Sequence, residues 1–527
     1  MKVRSYDDLN FPLAWKRLLR WVGEGQPDIP DRLPFEVLKR LDGGRGPTPQ
    51  REQHLRPVTT VFSPKKSSTS RPLVRLSPRD LLLYQALVDR LAADIEGALP
   101  SRDVVFAYRQ TLGREHDAFA GSPSREAYAS KARELLVDEW DVSYALTGDV
   151  AGFFLHIDID ELERLLLSAS DQVAVVRDLA DLLRGWAALG IRGLPQGIRS
   201  SSPLGNLYLA SLDALMLEQG VRYVRWMDDW IIVSASFHEA RRIQDEMERR
   251  LFELGLTLAA DKTGIVGWIT ASNQSKDARQ RLEELKTAQR DEAAAWVEEH
   301  VANTGYPVGP DDMPDPEELD REVVIGKFDE LLLAADLEHV PKDTHSMGIA
   351  VFRDMQALKE ARTLTQLPGL LMRVPSLTRS ALDYVAAVAK GDMSEATQVF
   401  QELLDTRRFM SDVEKLTVCA SILKLPERKA QQLSHSLQAW ALSDPSDLVR
   451  ARALLAWGAQ SPAGQFDVAD EFWKQASASW QPYALIAIQN KAMRSRDARY
   501  SRWGGEGRFT GALVKEIEQR TFAWRKL

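Results

Sequence analysis

YVRWMDDWIIVSA, residues 223–235, sets two adjacent aspartates between two apolar, aromatic-rich runs. Runs of this kind on either side of a short polar segment predict a β-hairpin with Asp228 and Asp229 at its tip. An acidic pair in a loop is most often a solvated turn, so the pair alone indicates no function. The segments around it along the chain decide how it is interpreted.

Strand and helix patterns alternate around this hairpin. Upstream, residues 145–159 (ALTGDVAGFFLHIDI) have the apolar and aromatic content of a strand, and residues 161–169 (ELERLLLSA) have helical periodicity. Downstream, an amphipathic helix is predicted near residues 238–254, followed by a short strand pair within residues 255–268. Strand, helix, hairpin, helix and strand together predict an α+β fold.

Further helices are predicted from their starting signals. Ser77 stands before Pro78, which is the pairing of an N-cap residue with the residue favoured at the first helical position. Residues 124–139 predict another helix. In residues 191–217, turn residues are followed by a helix that is predicted to begin after Ser202 and Pro203.

The C-terminal half of the chain has a helical pattern throughout. Residues 274–300 predict a solvated helix, and the proline-rich stretch at 306–316 predicts a linker. From about residue 320 onward, helical periodicity with short loops predicts antiparallel helix pairs in a helical-repeat-like arrangement. The predicted domains are residues 1–270, a helical or linker region at 271–320, and an all-α domain at 321–527.

Length and composition are those of a multidomain protein without disulfides. A chain of 527 residues exceeds what one hydrophobic core usually serves. The single Cys419 excludes an intramolecular disulfide, and the N-terminal residues lack the pattern of a signal peptide. No apolar run approaches the roughly 18 residues of a membrane helix. A cytoplasmic location without a membrane partner is therefore predicted.

The charge is unevenly distributed along the chain. The net charge is -8, but residues 1–80 hold 16 Lys and Arg against 9 Asp and Glu, a balance of +7 that leaves -15 for the remainder. A basic N-terminal part can face phosphate groups while the acidic remainder keeps the protein soluble. The overall acidity therefore does not exclude a nucleic-acid partner.

Two aspartate motifs suit one type of chemistry. Phosphoryl transfer from a nucleoside triphosphate develops negative charge between the attacking and leaving oxygens, and a pair of Mg²⁺ ions neutralises it. Mg²⁺ prefers oxygen ligands, so a protein that uses it must bring carboxylates from different strands to one point. Asp149, in the predicted strand, and Asp228 with Asp229, at the hairpin tip, are the candidates.

Four motifs occur in order along the chain. They are D-x-x-x-x-F at residues 149–154, LPQG at 194–197 followed by SSPLGN, WMDD at 226–229, and LGLTL at 254–258 followed by Lys262. This series resembles motifs A, B, C and D of reverse transcriptases. Upstream, the basic residues around RPL resemble the fingers of that family. The resemblance covers roughly residues 55–270, about 40% of the chain.

The resemblance implies a fold and an activity. The fold would be a right-hand-like fingers and palm domain followed by the all-α C-terminal domain. The activity would be RNA-directed DNA synthesis from deoxynucleoside triphosphates on an RNA template, with two Mg²⁺ ions that Mn²⁺ can replace. Asp149 and Asp228 would bind both metals, Val150 is included among the metal-binding positions, and Asp229 would support them. Phe154 would be the steric gate that excludes a ribose 2′-hydroxyl.

The same resemblance implies a nucleotide-binding set. Glutamine and glycine of the second motif would lie against the incoming nucleotide and template, basic residues of the fingers would hold the triphosphate, and a lysine after the fourth motif would protonate the leaving pyrophosphate. In order along the chain these are Lys65 or Lys66, Arg71, Gln196, Gly197 and Lys262. One departure is visible, because Trp226 stands where the family usually has tyrosine, which puts primer handling in doubt.

The C-terminal half indicates which kind of reverse transcriptase the chain resembles. No ribonuclease H domain of the retroviral type and no maturase region of the group II intron type is recognisable. An all-helical region beside the polymerase is similar to bacterial defence-associated and abortive-infection reverse transcriptases. That similarity implies antiviral defence, homo-oligomers, an RNA partner that could be a dedicated non-coding RNA, and in some members DNA synthesis primed from a protein hydroxyl.

A protein primer would require a hydroxyl group that reaches the metals. Tyr384, Tyr483 and Tyr500 are candidates. Tyr500 is the favoured one, because Arg499 and Arg502 flank it in a polar segment that could lie near nucleic acid. Buried packing is the alternative for each of the three.

Two other functions remain open at the level of sequence. An RNA-templated RNA polymerase shares the palm fold and the metals, and Phe154 is the feature that argues against it. A non-catalytic RNA-binding scaffold is disfavoured by the intact aspartates. Zinc hydrolases, Walker-type ATPases and serine hydrolases lack their motifs here.

Overall fold

The computed structural model divides the chain into two compact units. One comprises Met1–Thr60 with Pro72–Ser275, and the other comprises Val61–Arg71 with Lys276–Leu527. The residues that the structure describes are 1–23, 35, 47, 49–52, 54–65, 69–113, 116–137, 142–268, 278–304, 315–333, 340–341, 343–359, 364–389, 393–406, 410–504, 513–514 and 517.

The first unit combines helices with a four-stranded sheet. Its N-terminal elements are a 3-10 turn at Tyr6–Asp8, α1 (Phe11–Gly23), α2 (Pro78–Arg90), α3 (Ala92–Ala98) and α4 (Arg125–Val137). The elements that follow are β3 (Tyr144–Asp149), α5 (Phe153–His156), α6 (Ile159–Ala169), α7 (Val173–Ala188), α8 (Ser201–Tyr208), α9 (Ala210–Glu218), β4 (Arg222–Trp226), β5 (Asp229–Ser234), α10 (Phe237–Glu253) and β6 (Gly264–Gly267). A hairpin of β1 (Thr59–Pro64) and β2 (Ser70–Arg75) joins the two units along the chain.

The sheet has the strand order β4-β5-β3-β6 and is antiparallel throughout. Successive strand residues face opposite sides. On one side Val224 and Val233 pack in small clusters with α4. On the other side Tyr223 and Ile232 belong to the main core, together with Ile243 of α10. Burial on both faces holds the register, because a slip by one residue would exchange the two sets of side chains.

Several local predictions are confirmed. Helix α2 begins at Pro78, and the Ser77 hydroxyl oxygen accepts a hydrogen bond from the Asp80 backbone N–H. The hairpin of β4 and β5 is present, with Asp228 in its turn. Helices are also found over Arg125–Val137 and Phe237–Glu253, close to their predicted bounds.

Three local predictions were wrong in detail. Phe153 begins a short helix instead of continuing the strand, because Gly152 takes a left-handed conformation with φ 59° and turns the chain. Helix α8 begins at Ser201, before the predicted Pro203, and the Ser201 hydroxyl bonds to the Pro195 carbonyl. Residues 255–268 form only one strand, and Leu258 makes an isolated bridge to Val150.

Every regular element described from Lys276 onward is a helix. The α-helices are α11 (Ala278–Thr304), α12 (Pro316–Leu333), α13 (Thr344–Leu358), α14 (Leu367–Arg373), α15 (Thr378–Val388), α16 (Met393–Asp405), α17 (Asp412–Ile422), α18 (Ser434–Ser443), α19 (Asp447–Gln460), α20 (Asp467–Gln475), α21 (Pro482–Ala487) and α22 (Met493–Trp503). Short 3-10 turns lie at Pro375–Leu377 and Gln431–Leu433. The predicted linker at 306–316 lies, up to residue 314, outside the described residues.

The helices of the second unit pack mainly against near neighbours in the chain. Helix α18 packs on α19, α19 on α21, and α15 on both α13 and α17. At Gly458 the α19 backbone approaches α21 so closely that an added Cβ would lie 2.2 Å from the Ala487 carbonyl oxygen. Contacts between elements close in sequence are the pattern of helical repeats.

Two further features of the second unit bear on its chemistry. Cys419 lies buried in α17, and burial raises the pKa of its thiol to about 12. The Phe62 backbone N–H in β1 donates a hydrogen bond to the carboxylate of Asp412, at the start of α17.

None of the helices described is both long and apolar enough to cross a membrane.

Candidate active site

Two of the predicted catalytic aspartates face each other across the central strands. Asp149 is the last residue of β3, Asp229 is the first residue of β5, and the two are partners in the antiparallel register. Directly opposed residues place their side chains on the same face of a sheet. The two carboxyl groups are hydrogen-bonded, and Asp228 directly precedes Asp229, in the turn between β4 and β5.

This arrangement concentrates negative charge. Loss of hydration, the hydrogen bond with Asp149, and the charges of Asp228 and Asp149 raise the pKa of Asp229 to about 7, against an opposing effect of Arg125. Neighbouring carboxylates repel each other when both are ionised, and a positive charge close to them relieves that repulsion. The donor set is the one that Mg²⁺ prefers, because every donor is a carboxylate oxygen.

The carboxylates alone do not form a complete set of ligands for a metal ion. Among the described residues, no group of three or more His, Cys, Asp or Glu side chains is arranged to hold a metal ion. The site instead consists of the hydrogen-bonded pair Asp149 and Asp229 with Asp228 beside it in sequence. Mg²⁺ commonly takes one or two protein carboxylates and completes its shell with water and substrate phosphates, and this pair can supply such ligands.

Two cationic side chains lie against the carboxylates. The Lys262 Nζ is 2.8 Å from the Asp149 Oδ2, and the Arg125 Nη2 is 3.8 Å from the Asp229 Oδ2. Burial disfavours the charged form of Lys262, but its hydrogen bond to Asp149 and the surrounding negative charges outweigh that effect and raise its pKa. Both cations are more than half exposed, so these ion pairs are weak.

A buried arginine supports the turn that carries Asp228. Arg225, in β4, and Asp213, in α9, form an ion pair in which both side chains are fully buried. The Arg225 Nε donates to the Asp213 Oδ1 at 3.0 Å, and its Nη1 donates to the Met227 carbonyl oxygen at 2.6 Å. Met227 has φ 56°, a left-handed conformation that non-glycine residues seldom adopt.

Further hydrogen bonds complete this buried network. The Arg225 Nη1 also donates to the Asn206 Oδ1 at 2.9 Å, and the Asn206 Nδ2 donates to the Ala107 carbonyl oxygen at 2.8 Å. The Tyr223 hydroxyl donates to the Asp213 carboxylate at 2.9 Å. The strained turn before Asp228 is therefore fixed from below by charged and hydrogen-bonded groups that water does not reach.

The LPQG segment is tied to the residue predicted as the steric gate. The Leu194 backbone N–H donates to the Phe154 carbonyl oxygen at 2.8 Å, and at Gly193, whose φ is 60°, an added Cβ would lie 2.1 Å from that same oxygen. The Phe154 ring is half-buried, 5.3 Å from the Phe153 ring, and an added Cβ on Gly205 would lie 3.4 Å from it. The gate candidate thus has a fixed backbone and a partly accessible ring.

The other nucleotide-binding candidates have different environments. The Gln196 backbone carbonyl oxygen accepts a hydrogen bond from the Val74 backbone N–H at 2.9 Å. Gly197 has φ 86°. Lys65 is exposed near the end of the β1–β2 hairpin, where its N–H donates to the Thr69 carbonyl oxygen at 2.7 Å. Arg71 is exposed on β2 and, like Lys65, belongs to the second unit.

Two further candidates are Lys66, for nucleotide binding, and Val150, for metal binding. Lys66 lies outside the described residues. The Val150 side chain is a hydrocarbon packed in the main core, so a metal ligand at this position would have to be the backbone carbonyl oxygen.

The tyrosines proposed as primers are buried. Tyr384, Tyr483 and Tyr500 are each at most 2% exposed, and the Tyr500 hydroxyl donates to the Leu485 carbonyl oxygen. Arg499 and Arg502, which were expected near nucleic acid, instead form ion pairs with Asp470. Packing therefore accounts for this segment, and its burial argues against priming from Tyr500 in this conformation.

Sequence reasoning missed the residues that support the site. Arg225, Asp213 and Asn206 were not singled out, although an arginine inside an otherwise apolar strand pattern was a visible signal. Arg125, near Asp229, was also missed, and its position at the start of a helix gave no local signal.

The buried ion pair leads to a prediction about stability. Asp213→Ala would leave the Arg225 charge unpaired in the core and is expected to lower the free energy of unfolding by about 3–5 kcal/mol. Urea denaturation followed by tryptophan fluorescence measures this change. The double variant Asp213→Leu with Arg225→Met should be less destabilised than Asp213→Ala, because no buried charge remains.

The matched control is Arg164→Gln, which removes an exposed ion pair with Glu161 and should change the free energy of unfolding by about 0–1 kcal/mol. A loss for Asp213→Ala no larger than that of the control would mean that the buried pair does not support the fold.

Comparison with known proteins relates the part of the chain that carries this site to a protein family. Residues 63–292 match the family described as reverse transcriptase (RNA-dependent DNA polymerase). Among solved structures, telomerase from Candida albicans, in complex with the TWJ fragment of telomeric RNA, is similar at 12% identity and a TM-score of 0.29. That match covers 71% of this chain and 64% of the telomerase chain. No curated protein sequence matches the chain. The chain therefore contains a reverse transcriptase domain, which places residues 63–292 among the RNA-directed DNA polymerases, a class of nucleotidyltransferase.

Proposed function

We propose that this protein extends DNA from deoxynucleoside triphosphates on an RNA template by a two-metal mechanism. In this proposal the sheet of β3 to β6 is the palm and the β1–β2 hairpin is part of the fingers. The observation that carries the proposal is the pairing of Asp149 with Asp229 across β3 and β5, with Asp228 in the adjoining turn. Together with the family match, this pairing supplies carboxylates where the reaction needs them.

The chain's own residues would hold and orient the reacting groups. Asp149 and Asp228 would be the ligands of two Mg²⁺ ions, which Mn²⁺ can replace, and Asp229 would support them. When bound, the ions neutralise charge on the phosphates and lower the pKa of the attacking hydroxyl group. Lys262, already hydrogen-bonded to Asp149, is close enough to the metal ligands to place a proton near the departing pyrophosphate.

The remaining nucleotide contacts are proposed from the family motifs together with local geometry. Gln196 and Gly197 lie on a loop that is joined to Phe154 through Leu194, so gate and loop would contact one substrate. The φ of Gly197 lets the backbone approach a nucleotide without a side chain in the way. Lys65 and Arg71 are exposed cations of the second unit, and the family motif assigns them to binding of the triphosphate.

The metal-site assignment predicts loss of activity in single variants. Asp228→Ala and Asp149→Asn should each reduce incorporation of labelled deoxynucleotides to background with Mg²⁺ and a primed RNA template, because each removes a carboxylate ligand. Asp245→Asn, at an exposed ion pair on α10, is the control and should remain active. Circular dichroism would verify that the variants fold. Normal incorporation by Asp228→Ala would refute the two-metal assignment.

Phe154 predicts which sugar the polymerase accepts. Phe154→Ala should admit ribonucleotides, because the ring would no longer occupy the space that a 2′-hydroxyl needs. Phe153→Leu, a change at the buried neighbour, should keep the preference for deoxynucleotides. Parallel incorporation assays with the two kinds of triphosphate measure the ratio. Full exclusion of ribonucleotides by Phe154→Ala would assign the gate to another residue, and ribonucleotide use by the wild type would favour an RNA polymerase.

The proposed biological role is antiviral defence in bacteria, with a homo-oligomeric protein and an RNA partner that could be a dedicated non-coding RNA. Support for this role comes from the order of the two parts of the chain, because a long helical region after the polymerase is similar to the arrangement in bacterial defence-associated reverse transcriptases. Protein priming is part of the same proposal. Because Tyr500 is buried and hydrogen-bonded, a protein primer would require a different hydroxyl group or a different conformation.

The defence role predicts a phenotype that depends on catalysis. Cells that express the wild type should give fewer phage plaques than cells that express Asp228→Ala, at equal protein levels. Asp245→Asn should protect as the wild type does. Equal plaque counts for wild type and Asp228→Ala across a broad phage panel would contradict a role through DNA synthesis. If both of these equal counts were below the count for cells without the protein, the non-catalytic scaffold would be favoured.

A further inference from the structure

An aromatic surface with arginines on it extends from the catalytic hairpin. We define this aromatic surface by Tyr108, Phe119, Tyr128 and Trp226. The Trp226 ring lies 5.8 Å from the Tyr128 ring and 6.3 Å from the Tyr108 ring, and Tyr108 lies 5.7 Å from Phe119. All four residues belong to the first unit. Of the four, only Trp226 was connected by the sequence motifs with binding of the primer strand.

Arg125 covers one end of this surface. Its guanidinium carbon is 4.9 Å from the centre of the Trp226 ring and 5.0 Å from the centre of the Tyr128 ring. The side chain is 56% exposed, so solvent reaches the guanidinium group while the two rings hold it in place. At the other end, the Arg199 guanidinium carbon is 5.8 Å from the Phe119 ring. Aromatic rings together with exposed cations are the chemistry that binds polynucleotides through bases and phosphates.

Core packing alone does not explain the surface. Tyr128 is buried, but Tyr108, Phe119 and Trp226 are only half-buried. Tyr108 also has φ 53°, a left-handed conformation that costs about 1–3 kcal/mol in a residue other than glycine and that clusters at ligand sites. Strain and partial exposure are typical of a binding surface.

The position of Arg125 relates the surface to the carboxylates. Trp226 is opposite Asp229 in the β4–β5 register, and the Arg125 guanidinium contacts both residues. At 3.8 Å and with about half of each side chain exposed, the ion pair with Asp229 contributes little stability. Arginine forms stronger, bidentate hydrogen bonds with phosphate groups. A phosphate that arrives beside Asp229 can therefore take over the guanidinium group without loss of a strong contact.

We infer that Arg125 binds a backbone phosphate of the polynucleotide strand whose 3′ end enters the carboxylate site, while the aromatic surface contacts the sugars or bases of that strand. The inference rests on the proposed polymerase function, because that function requires a strand end at the carboxylates. It adds α4, which carries Arg125 and Tyr128, to the substrate-binding elements. It also gives Trp226 a role in holding the arginine.

Binding without catalysis tests the inference. Fluorescence anisotropy of a labelled, single-stranded oligodeoxynucleotide is measured with the full-length protein in EDTA, without nucleotides, over a range of salt concentrations. Arg125→Gln should weaken binding about tenfold and reduce the slope of log K against log salt by about 1. Arg125→Lys should keep most of the salt slope but bind more weakly than wild type, because an ammonium group cannot form the bidentate contact.

Arg241→Gln is the matched control, since Arg241 is 54% exposed and forms an ion pair with Asp245 on α10. Its affinity and salt slope should equal those of the wild type. Unchanged affinity and slope for Arg125→Gln would overturn the inference. It would also fail if a polyglutamate peptide bound as tightly as the oligonucleotide with the same dependence on Arg125, because the site would then be a general anion site.

The outcomes separate this inference from the proposed function. If the wild type incorporates deoxynucleotides and Arg125→Gln binds the oligonucleotide normally, the polymerase stands and the inference fails. If Arg125→Gln weakens binding but the wild type incorporates no nucleotide, the binding site stands and the function fails. In an active enzyme, Arg125→Gln should raise the KM for the primed template and leave the KM for deoxynucleotides unchanged.

Discussion

The buried pair of Arg225 and Asp213 is the interaction on which the candidate site depends. Two charges removed from water are costly unless each is fully hydrogen-bonded, and here Asn206, Tyr223 and the Met227 carbonyl complete the set. Such a network has few alternative arrangements. It therefore fixes a left-handed turn that would otherwise relax, and with it the place of the aspartates that follow.

The charges at the surface of the site behave in the opposite way. Lys262 and Arg125 neutralise carboxylates but are exposed, so substrates and ions can replace them at low cost. The site thus combines one buried cation with a fixed position, Arg225, with two exposed cations that can be exchanged, Lys262 and Arg125. The repulsion among the neighbouring carboxylates is reduced in this way by cations that remain exposed to solvent.

Local patterns predicted the parts of this architecture that local forces determine. The hairpin around Asp228 and the Ser77 cap depend on residues adjacent in sequence, and both were predicted correctly. Contacts between residues that are distant in sequence gave no such signal. Arg225 bonds to Asn206, which is 19 positions away in the sequence, and Arg125 of α4 pairs with Asp229 of β5. Periodicity predicted the helices of the second unit, but the burial of Tyr500 follows from packing, which a single sequence does not encode locally.

The buried thiol of Cys419 has a practical consequence. It is the only cysteine of the chain, and inaccessibility together with a raised pKa keeps it protonated and unreactive towards alkylating reagents. The natural sequence is therefore already a suitable background for labelling with dyes. A cysteine introduced at an exposed position in each compact unit would be modified selectively, and energy transfer between two dyes would follow their separation during a catalytic cycle.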